Sequence, residues 1–285
     1  MSSDSTQALS YFPGCSMATS ARESHLSLMK VARRLGLELQ ELEDWNCCGS
    51  SSAHSLDKDL AFYLAARNLS LAPPEKPLLV MCPSCLHRLQ LAQVRMQEDS
   101  AQHQAAMEAC GRDIDLELSI VHFFEILEQA LQNRGKGIAG PGLRGIRFLP
   151  YYGCMLAYPP VLRRKKKYHG IIESILSSVD AEAVSWPFAS RCCGTFLAAA
   201  RPDIATKTVN HIMYGAVRSG AECLVTACAM CQLNLEIRCT IEHNLPVFHL
   251  SEILAIAMGE TAFKAWFKRH LVDPIPLMKG RGFIH

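Results

Sequence analysis

The chain has 285 residues, 49% of them hydrophobic and 20% charged, with a net charge of +2, the composition of a soluble globular protein with room for two domains. The near-neutral balance gives no electrostatic footprint for nucleic acid, and no unbroken apolar run reaches the about eighteen residues a membrane span needs. The start M-S-S-D-S-T-Q-A-L-S lacks the basic and apolar regions of a secretory signal, so a cytoplasmic location without direct membrane insertion is expected.

In chain order, runs of strand length occur at A-L-S-Y-F-P (8–13), L-E-L-Q-E-L (37–42), P-L-L-V-M (77–81), G-I-R-F-L-P-Y-Y (145–152), A-E-A-V-S-W (181–186) and E-C-L-V-T-A (222–227). Segments with helical spacing fall between them, at 24–35, 60–71, after Cys85 and at 205–217. Strands alternating with helices predict parallel sheets covered on both faces. The expected fold class is α/β, with two duplicated domains, 1–139 and 140–285, each a mostly parallel sheet flanked by helices. Their boundary is expected in the glycine- and proline-bearing stretch 135–145.

Thirteen cysteines in a reducing compartment point to metal or redox chemistry rather than a disulfide scaffold. Ten of them follow a repeat. The first half reads Y-F-P-G-C ending at Cys15, C-C-G at Cys47, Cys48 and Gly49, and C-P-S-C from Cys82 to Cys85. The second reads Y-Y-G-C ending at Cys154, C-C-G at Cys192, Cys193 and Gly194, and C-A-M-C from Cys228 to Cys231. V-H-F-F-E-I-L from Val121 and F-H-L-S-E-I-L from Phe248 close the two halves alike. Cys15, Cys82, Cys154 and Cys228 fall just past the carboxyl ends of predicted strands, where ligands of open α/β sheets gather.

A disulfide between sequence neighbours such as Cys47 and Cys48 is strained. Zinc uses four ligands and would leave one of five thiols idle, whereas neighbouring thiols can reach different irons of an extended iron–sulfur centre. Gly49 and Gly194 would let the backbone turn tightly and approach such a group. Cys110, Cys223 and Cys239 stand outside the repeat and are expected to be buried thiols.

The pattern C-x31-C-C-G-x32-C-x-x-C, then C-x37-C-C-G-x33-C-x-x-C, resembles the tandem CCG domains of the heterodisulfide reductase B subunit over nearly the whole chain, as do the words Y-F-P-G-C, D-W-N-C-C-G, Y-Y-G-C and C-A-M-C-Q-L-N-L. The resemblance implies two noncubane 4Fe-4S clusters, one held by Cys15, Cys47, Cys48, Cys82 and Cys85 and the other by Cys154, Cys192, Cys193, Cys228 and Cys231. It further implies a thiol/disulfide oxidoreductase subunit that cleaves or forms a disulfide between the clusters. The substrate would be the mixed disulfide of coenzymes M and B, or a thiol or disulfide met on a lipoate-bearing carrier protein. No ferredoxin-type cysteine run, dinucleotide fingerprint or flavin motif is present. Electrons therefore have to pass through partners, for which the resemblance implies an iron–sulfur subunit and a flavoprotein subunit. The alternative is a CCG-domain electron-transfer subunit of a quinone-linked succinate, glycolate or lactate oxidoreductase, and a third reading is a zinc-stabilised scaffold.

Other features have bland readings as well as functional ones. R-R-K-K-K at 163–167 could attract an anionic substrate or acidic carrier, but such runs are more often solvated helix starts. His54 and His87 are near enough in sequence to the cysteines to deliver a proton, against a structural role as packed histidines. His122 and His249, at matching positions, are expected to share a structural task. Trp45 and Trp186 precede their C-C-G pairs and are expected to shield a centre from water.

Overall fold

Four parallel strands form one sheet in each half. The structure, a computed structural model, describes residues 7–50, 53–134, 140–159 and 168–284. In the first half β1 (Gln7–Phe12) lies between β2 (Leu37–Glu41) and β3 (Leu78–Val80), with β4 (Ile120–His122) beyond β3, an order of β2-β1-β3-β4. In the second half β5 (Ile146–Tyr151), β6 (Ala181–Ala183), β7 (Cys223–Thr226) and β8 (Val247–His249) repeat it as β6-β5-β7-β8. The register repeats too: Phe12, Val80 and His122 form one row across the first sheet, as Tyr151, Thr226 and His249 do across the second. The duplicated α/β architecture expected from the sequence is the one observed.

β4 and β8 are the strands that the sequence pattern does not announce. Each runs without a break into its following helix, which starts at the very next residue, Phe123 or Leu250, so no turn signal sets the strand apart. They occupy the closing echo, and its histidine caps the helix that follows. His249 N donates to Glu252 while His249 Nδ1 accepts from Ser251 N, a capping box. His122 repeats this, with its N donating to Glu125 and its Nδ1 accepting from Phe124 N. Both histidines are fully buried, which is the shared structural task expected of them.

Helix Arg22–Arg34 leaves β1 and turns its Ser24, Ser27, Leu28, Val31 and Ala32 face inward. It packs on helix Leu250–Ala257 of the other half, every residue of which is buried. The reciprocal pair, helix Ile171–Ser177 after β5 and helix Phe123–Arg134 after β4, also meets across the junction, over a smaller area. The halves thus embrace about a pseudo-two-fold axis. One apolar core runs through the junction, joining Leu9, Leu28 and Phe124 to Phe148, Ile172, Phe248 and Ile253. Each such side chain contributes roughly 1.5–3 kcal/mol by burial. Ser27 and Ser251 meet within it, Oγ to Oγ at 2.7 Å, so the polar atoms buried there satisfy each other.

The opposite face of each sheet has its own core. Phe12, Phe62 and Leu89 pack with Cys48, Cys82 and Cys85 in one half, and Leu149, Val209 and Leu235 with Cys193, Cys228 and Cys231 in the other. Of the stretch 135–145, residues 135–139 lie outside the described residues, as does the basic run 163–167. Gly140, at the start of the described part, runs against the end of helix Leu250–Ala257, where a Cβ would come within 2.1 Å of Ala257 O.

Candidate functional site

In an order such as β2-β1-β3-β4 the chain leaves the central strand to opposite sides, and a crevice opens at the carboxyl ends of β1 and β3. Cys15 follows β1, and Cys82 and Cys85 follow β3. Cys47 and Cys48 arrive from the loop after β2. The second half brings Cys154, Cys228 with Cys231, and Cys192 with Cys193 to the corresponding places after β5, β7 and β6.

The ten thiols form one connected row. The sulfurs of Cys15 and Cys47 are 3.7 Å apart, and those of Cys48 and Cys85 3.1 Å. Cys47 and Cys48, and Cys82 and Cys85, stand near enough to shift each other's ionisation. Cys82 and Cys228, on opposite sides of the junction, stand near enough to shift each other's ionisation too, Cys82 downward and Cys228 upward. In the second set the Cys231 amide donates to Cys228 Sγ at 3.4 Å, the sulfurs of Cys231 and Cys193 are 3.6 Å apart, and Cys192 and Cys154 line one cleft. Cys15 and Cys192 are exposed, Cys47 and Cys154 half-buried, and the six between are buried. Within the row protons are unequally shared. The hydrogen bond from Cys15 holds the Cys47 thiol down to about 2, and the one from Cys154 holds Cys192 down to about 6. Their partners Cys15 and Cys154 are raised by the same bonds and by burial.

Backbone geometry fits around these sulfurs. Gly49 and Gly194 adopt φ of 75° and 77°, as a tight turn after C-C requires. The Gly194 amide points back at Cys192 Sγ, 3.3 Å away. A Cβ on Gly49 or Gly194 would meet the following helices, at Ala53 (3.0 Å) and Ala205 (3.4 Å), rather than a sulfur. The glycines that make way for sulfur are Gly14 and Gly153, with φ of 71° and 62°, where a Cβ would stand 3.1 Å from Cys85 Sγ and 3.2 Å from Cys231 Sγ. They are the glycines of P-G-C and Y-G-C, so the repeated word already held the signal.

Side chains pin the loops. Asn68 Nδ2 donates to Asn46 O (2.9 Å) and its Oδ1 accepts from Asn46 N (2.9 Å), while Arg67 donates to Asp44 O at 2.7 Å, holding Asp44 at φ 55° just ahead of Cys47. In the second half Tyr151 OH donates to Arg191 O (2.5 Å) and Asn234 Nδ2 to Cys193 O (2.8 Å). Trp45 packs edge-on to Phe12 and Trp186 tilts over Tyr151, so each indole covers the last residue of its central strand. Met230, between Cys228 and Cys231, accepts from Ser16 beside Cys15 (2.7 Å) and so fastens one site to the other. A narrow cleft lined by Cys154, Cys192, Cys193, Cys228 and Cys231 is completed by Pro83 and Ser84 of the first half, beside Phe196.

His54 and His87 make no hydrogen bond to a cysteine among the described residues. Burial and neighbouring Arg88 and His54 lower His87 to about 4, which suits a neutral, packed ring better than a proton carrier at pH 7. His54 meets Phe196 edge-on at 6.1 Å. Cys223 is buried as expected, whereas Cys110 and Cys239 are only half-buried. Among the described residues no three His, Cys, Asp or Glu side chains close around a point suited to a single metal ion. A row of five sulfurs per half, with adjacent pairs pointing along it and glycine backbone making room beside Cys85 and Cys231, does fit a polynuclear group held by thiolates.

The CCG cysteine-rich domain matches residues 9–90 and 149–236. The chain belongs to the CCG family and carries its domain twice. The 8-methylmenaquinol:fumarate reductase membrane anchor subunit of Wolinella succinogenes is 27% identical to this CCG chain over 278 residues, 94% of this chain and 98% of that protein. The B subunit of the ferredoxin:CoB-CoM heterodisulfide reductase of Methanosarcina mazei is 22% identical over 289 residues, 95% of each. Both names are those of subunits of reductases, so the resemblance to the heterodisulfide reductase B subunit extends to full-length homology. A solved structure of a hypothetical Helicobacter pylori protein shares the fold, with a TM-score of 0.75 at 13% identity, over 94% of this chain and 52% of that one. No helix of the described residues is long and apolar enough to cross a membrane.

Proposed function

We propose that this CCG chain is the disulfide-handling subunit of an oxidoreductase complex, holding one noncubane 4Fe-4S cluster on Cys15, Cys47, Cys48, Cys82 and Cys85 and another on Cys154, Cys192, Cys193, Cys228 and Cys231. When bound, such clusters supply one-electron chemistry at each site. The observation that carries this reading is the adjacency of the two thiol sets: Pro83 and Ser84, next to Cys82, complete the cleft of the second set, and Ser16 beside Cys15 bonds Met230 between Cys228 and Cys231. Reducing a disulfide to two thiols takes two electrons and two protons, and a pair of adjoining sites divides the electrons evenly.

The protein's own residues orient and seal. Gly14 and Gly153 admit the sulfurs of Cys85 and Cys231, Ser16 and Met230 hold the sites in register, and Tyr152 and Phe196 limit water at the cleft. The exposed thiols Cys15, at one end of the row, and Cys192, next to the other end, are where substrate and electron partner gain access. An iron–sulfur subunit, with a flavoprotein subunit behind it, would supply or take electrons, and the substrate would be a disulfide or dithiol, including a lipoyl group on a carrier protein. The site is expected to act from the cytoplasmic side.

A second reading is favoured by the Wolinella relative, which is more similar to this chain than the Methanosarcina one: an electron-transfer subunit of a quinone-linked reductase without disulfide chemistry. One experiment separates the two. The anaerobically purified chain is assayed for iron and acid-labile sulfide, then followed by paramagnetic resonance as dithiol, disulfide or menaquinol analogue is added. Two clusters' worth of iron with a signal that responds to the dithiol or disulfide supports the first reading. A response to the quinol alone supports the second, and zinc without sulfide overturns both.

A further inference from the structure

A cavity of about 310 Å³ opens between helix Lys58–Ser70 and helix Pro83–Glu98, on the outer face of the first half. That is at the small end of ligand pockets, which run roughly 300–1,000 Å³. Phe62 and Leu91 give it apolar walls, and His54, Lys58, Arg88 and Arg95 stand around it. No carboxylate is among its lining residues. The nearest acids in sequence have other tasks: Asp57 caps helix Lys58–Ser70 through Asp59 N (2.8 Å) and Leu60 N (3.0 Å), and Asp59 pairs with Arg95 at 3.2 Å. Arg95 is further held over the Phe62 ring, 4.6 Å from its centroid.

Arg88 and Lys58 have no ion-pair partner among the described residues. Two buried nitrogens of the lining residues, Arg88 Nε and His54 Nδ1, lack any hydrogen-bond partner. Unpaired cations in an apolar cavity without a carboxylate favour an anionic guest. The helical period ties the place to the thiols: Cys85, Arg88, Ala92 and Arg95 follow at spacings that share one face of helix Pro83–Glu98. Burial lowers the Arg88 guanidinium from its ordinary value, while the charge of neighbouring Cys48 pulls it the other way.

We propose that this cavity binds a small amphipathic oxyanion, a carboxylate or phosphate monoester on an aliphatic body, with Arg88 and Lys58 as ligands of the head group. The apolar walls take the body, and the Arg88 guanidinium and the Lys58 ammonium, neither with an ion-pair partner among the described residues, take the charge. The site goes beyond the disulfide reading and stands without it, because binding is measured whatever the chain holds on its cysteines.

The test is titration calorimetry on the anaerobically purified full chain with octanoate, octyl phosphate, octylammonium and octanol. One or both anions should saturate a single site, with the cation and the alcohol weaker by about tenfold or more. The tighter of the two anions names the head group. Arg88→Gln should weaken binding by about tenfold and the exposed Lys58→Gln by about threefold, at unchanged iron content and melting temperature. Leu91→Arg, at an exposed wall position, should block the cavity and decides the matter should Arg88→Gln not fold. Absence of saturable anion binding, equal binding of octylammonium, or undiminished binding in Lys58→Gln and Leu91→Arg overturns the proposal.

Discussion

The two halves place their sulfurs alike and anchor them differently. In the first half the loop before Cys47 is tied by polar side chains of one helix, Arg67 and Asn68. In the second the corresponding loop is tied by the hydroxyl of Tyr151 on the central strand and by Asn234 from beyond Cys231. The buried carboxylates of the two closing helices differ in the same manner. Glu125 accepts from the Tyr168 phenol at 2.9 Å, a residue of the other half. Glu252 sits 3.0 Å from the imidazole of His270, whose other nitrogen is 3.1 Å from Glu236. A duplicated sheet fixes where a thiol can stand, since the strand end and the glycine beside it determine that position. The anchors need only satisfy the loop's backbone groups, which several side chains can do.

The strongest way to break the likeness is at the junction. Cys82→Ser and Cys228→Ser should each lower iron and acid-labile sulfide by about half, since each removes one thiolate from one of two equivalent sets. Cys223→Ala, at a buried thiol outside the row, should leave both unchanged. Elemental analysis of the anaerobically purified variants checks this, and unchanged iron in both junction variants would rule out the cysteine assignment.

Next in size is the contrast between the two buried carboxylates. Burial opposes a charge on His270, but Glu252 and Glu236 outweigh it and raise the imidazole to about 10. His270→Ala leaves those carboxylates buried without their cation and should cost about 3–5 kcal/mol in denaturant unfolding. Tyr168→Phe removes one hydrogen bond to a carboxylate and should cost about 1.5–3 kcal/mol. The pH profile separates them further. A histidine raised above its unfolded value near 6.5 contributes its full stabilisation below pH 6.5 and loses it as pH rises to about 10. That alkaline decline should disappear in His270→Ala and persist in Tyr168→Phe. The acid side is common to both halves, because burial holds His122 and His249 down to about 4, so both lose stability as pH falls from 6.5 toward 4.

Much of this was legible in the residues. Six strands, their parallel alternation with helices, and the ten thiols at strand ends follow from periodicity and from the repeated C-C-G and C-x-x-C words, because these are local patterns. β4 and β8 were not legible, because each passes directly into its helix at Phe123 or Leu250 and is defined by pairing with β3 and β7. The closing histidines could be matched to each other by position, but not recognised as helix caps. Gly49 and Gly194 have the positive φ that a turn demands, yet which glycine faces a sulfur depends on how Cys85 and Cys231 return toward β1 and β5, a tertiary fact that points to Gly14 and Gly153. The nearness of Cys82 to Cys228, and the cross-bond from Ser16 to Met230, lie between residues 146 and 214 positions apart, beyond any local reading.

The smallest expected difference lies in the loop anchors themselves. Asn68 is fully buried and exchanges two hydrogen bonds with the backbone of Asn46, while giving a third to Leu64 O. Asn234 gives one bond to the loop backbone, to Cys193 O. Asn68→Ala should therefore cost about 2 kcal/mol and Asn234→Ala about 1 kcal/mol, since an orphaned buried backbone group is the dominant penalty and the first variant leaves more of them. Denaturant midpoints at constant slope measure both. Equal losses would mean that the second loop depends on Asn234 as heavily as the first depends on Asn68, and that Tyr151 contributes little. A larger loss in Asn234→Ala would reverse the comparison, making the second half the one whose thiols are held by a single polar contact.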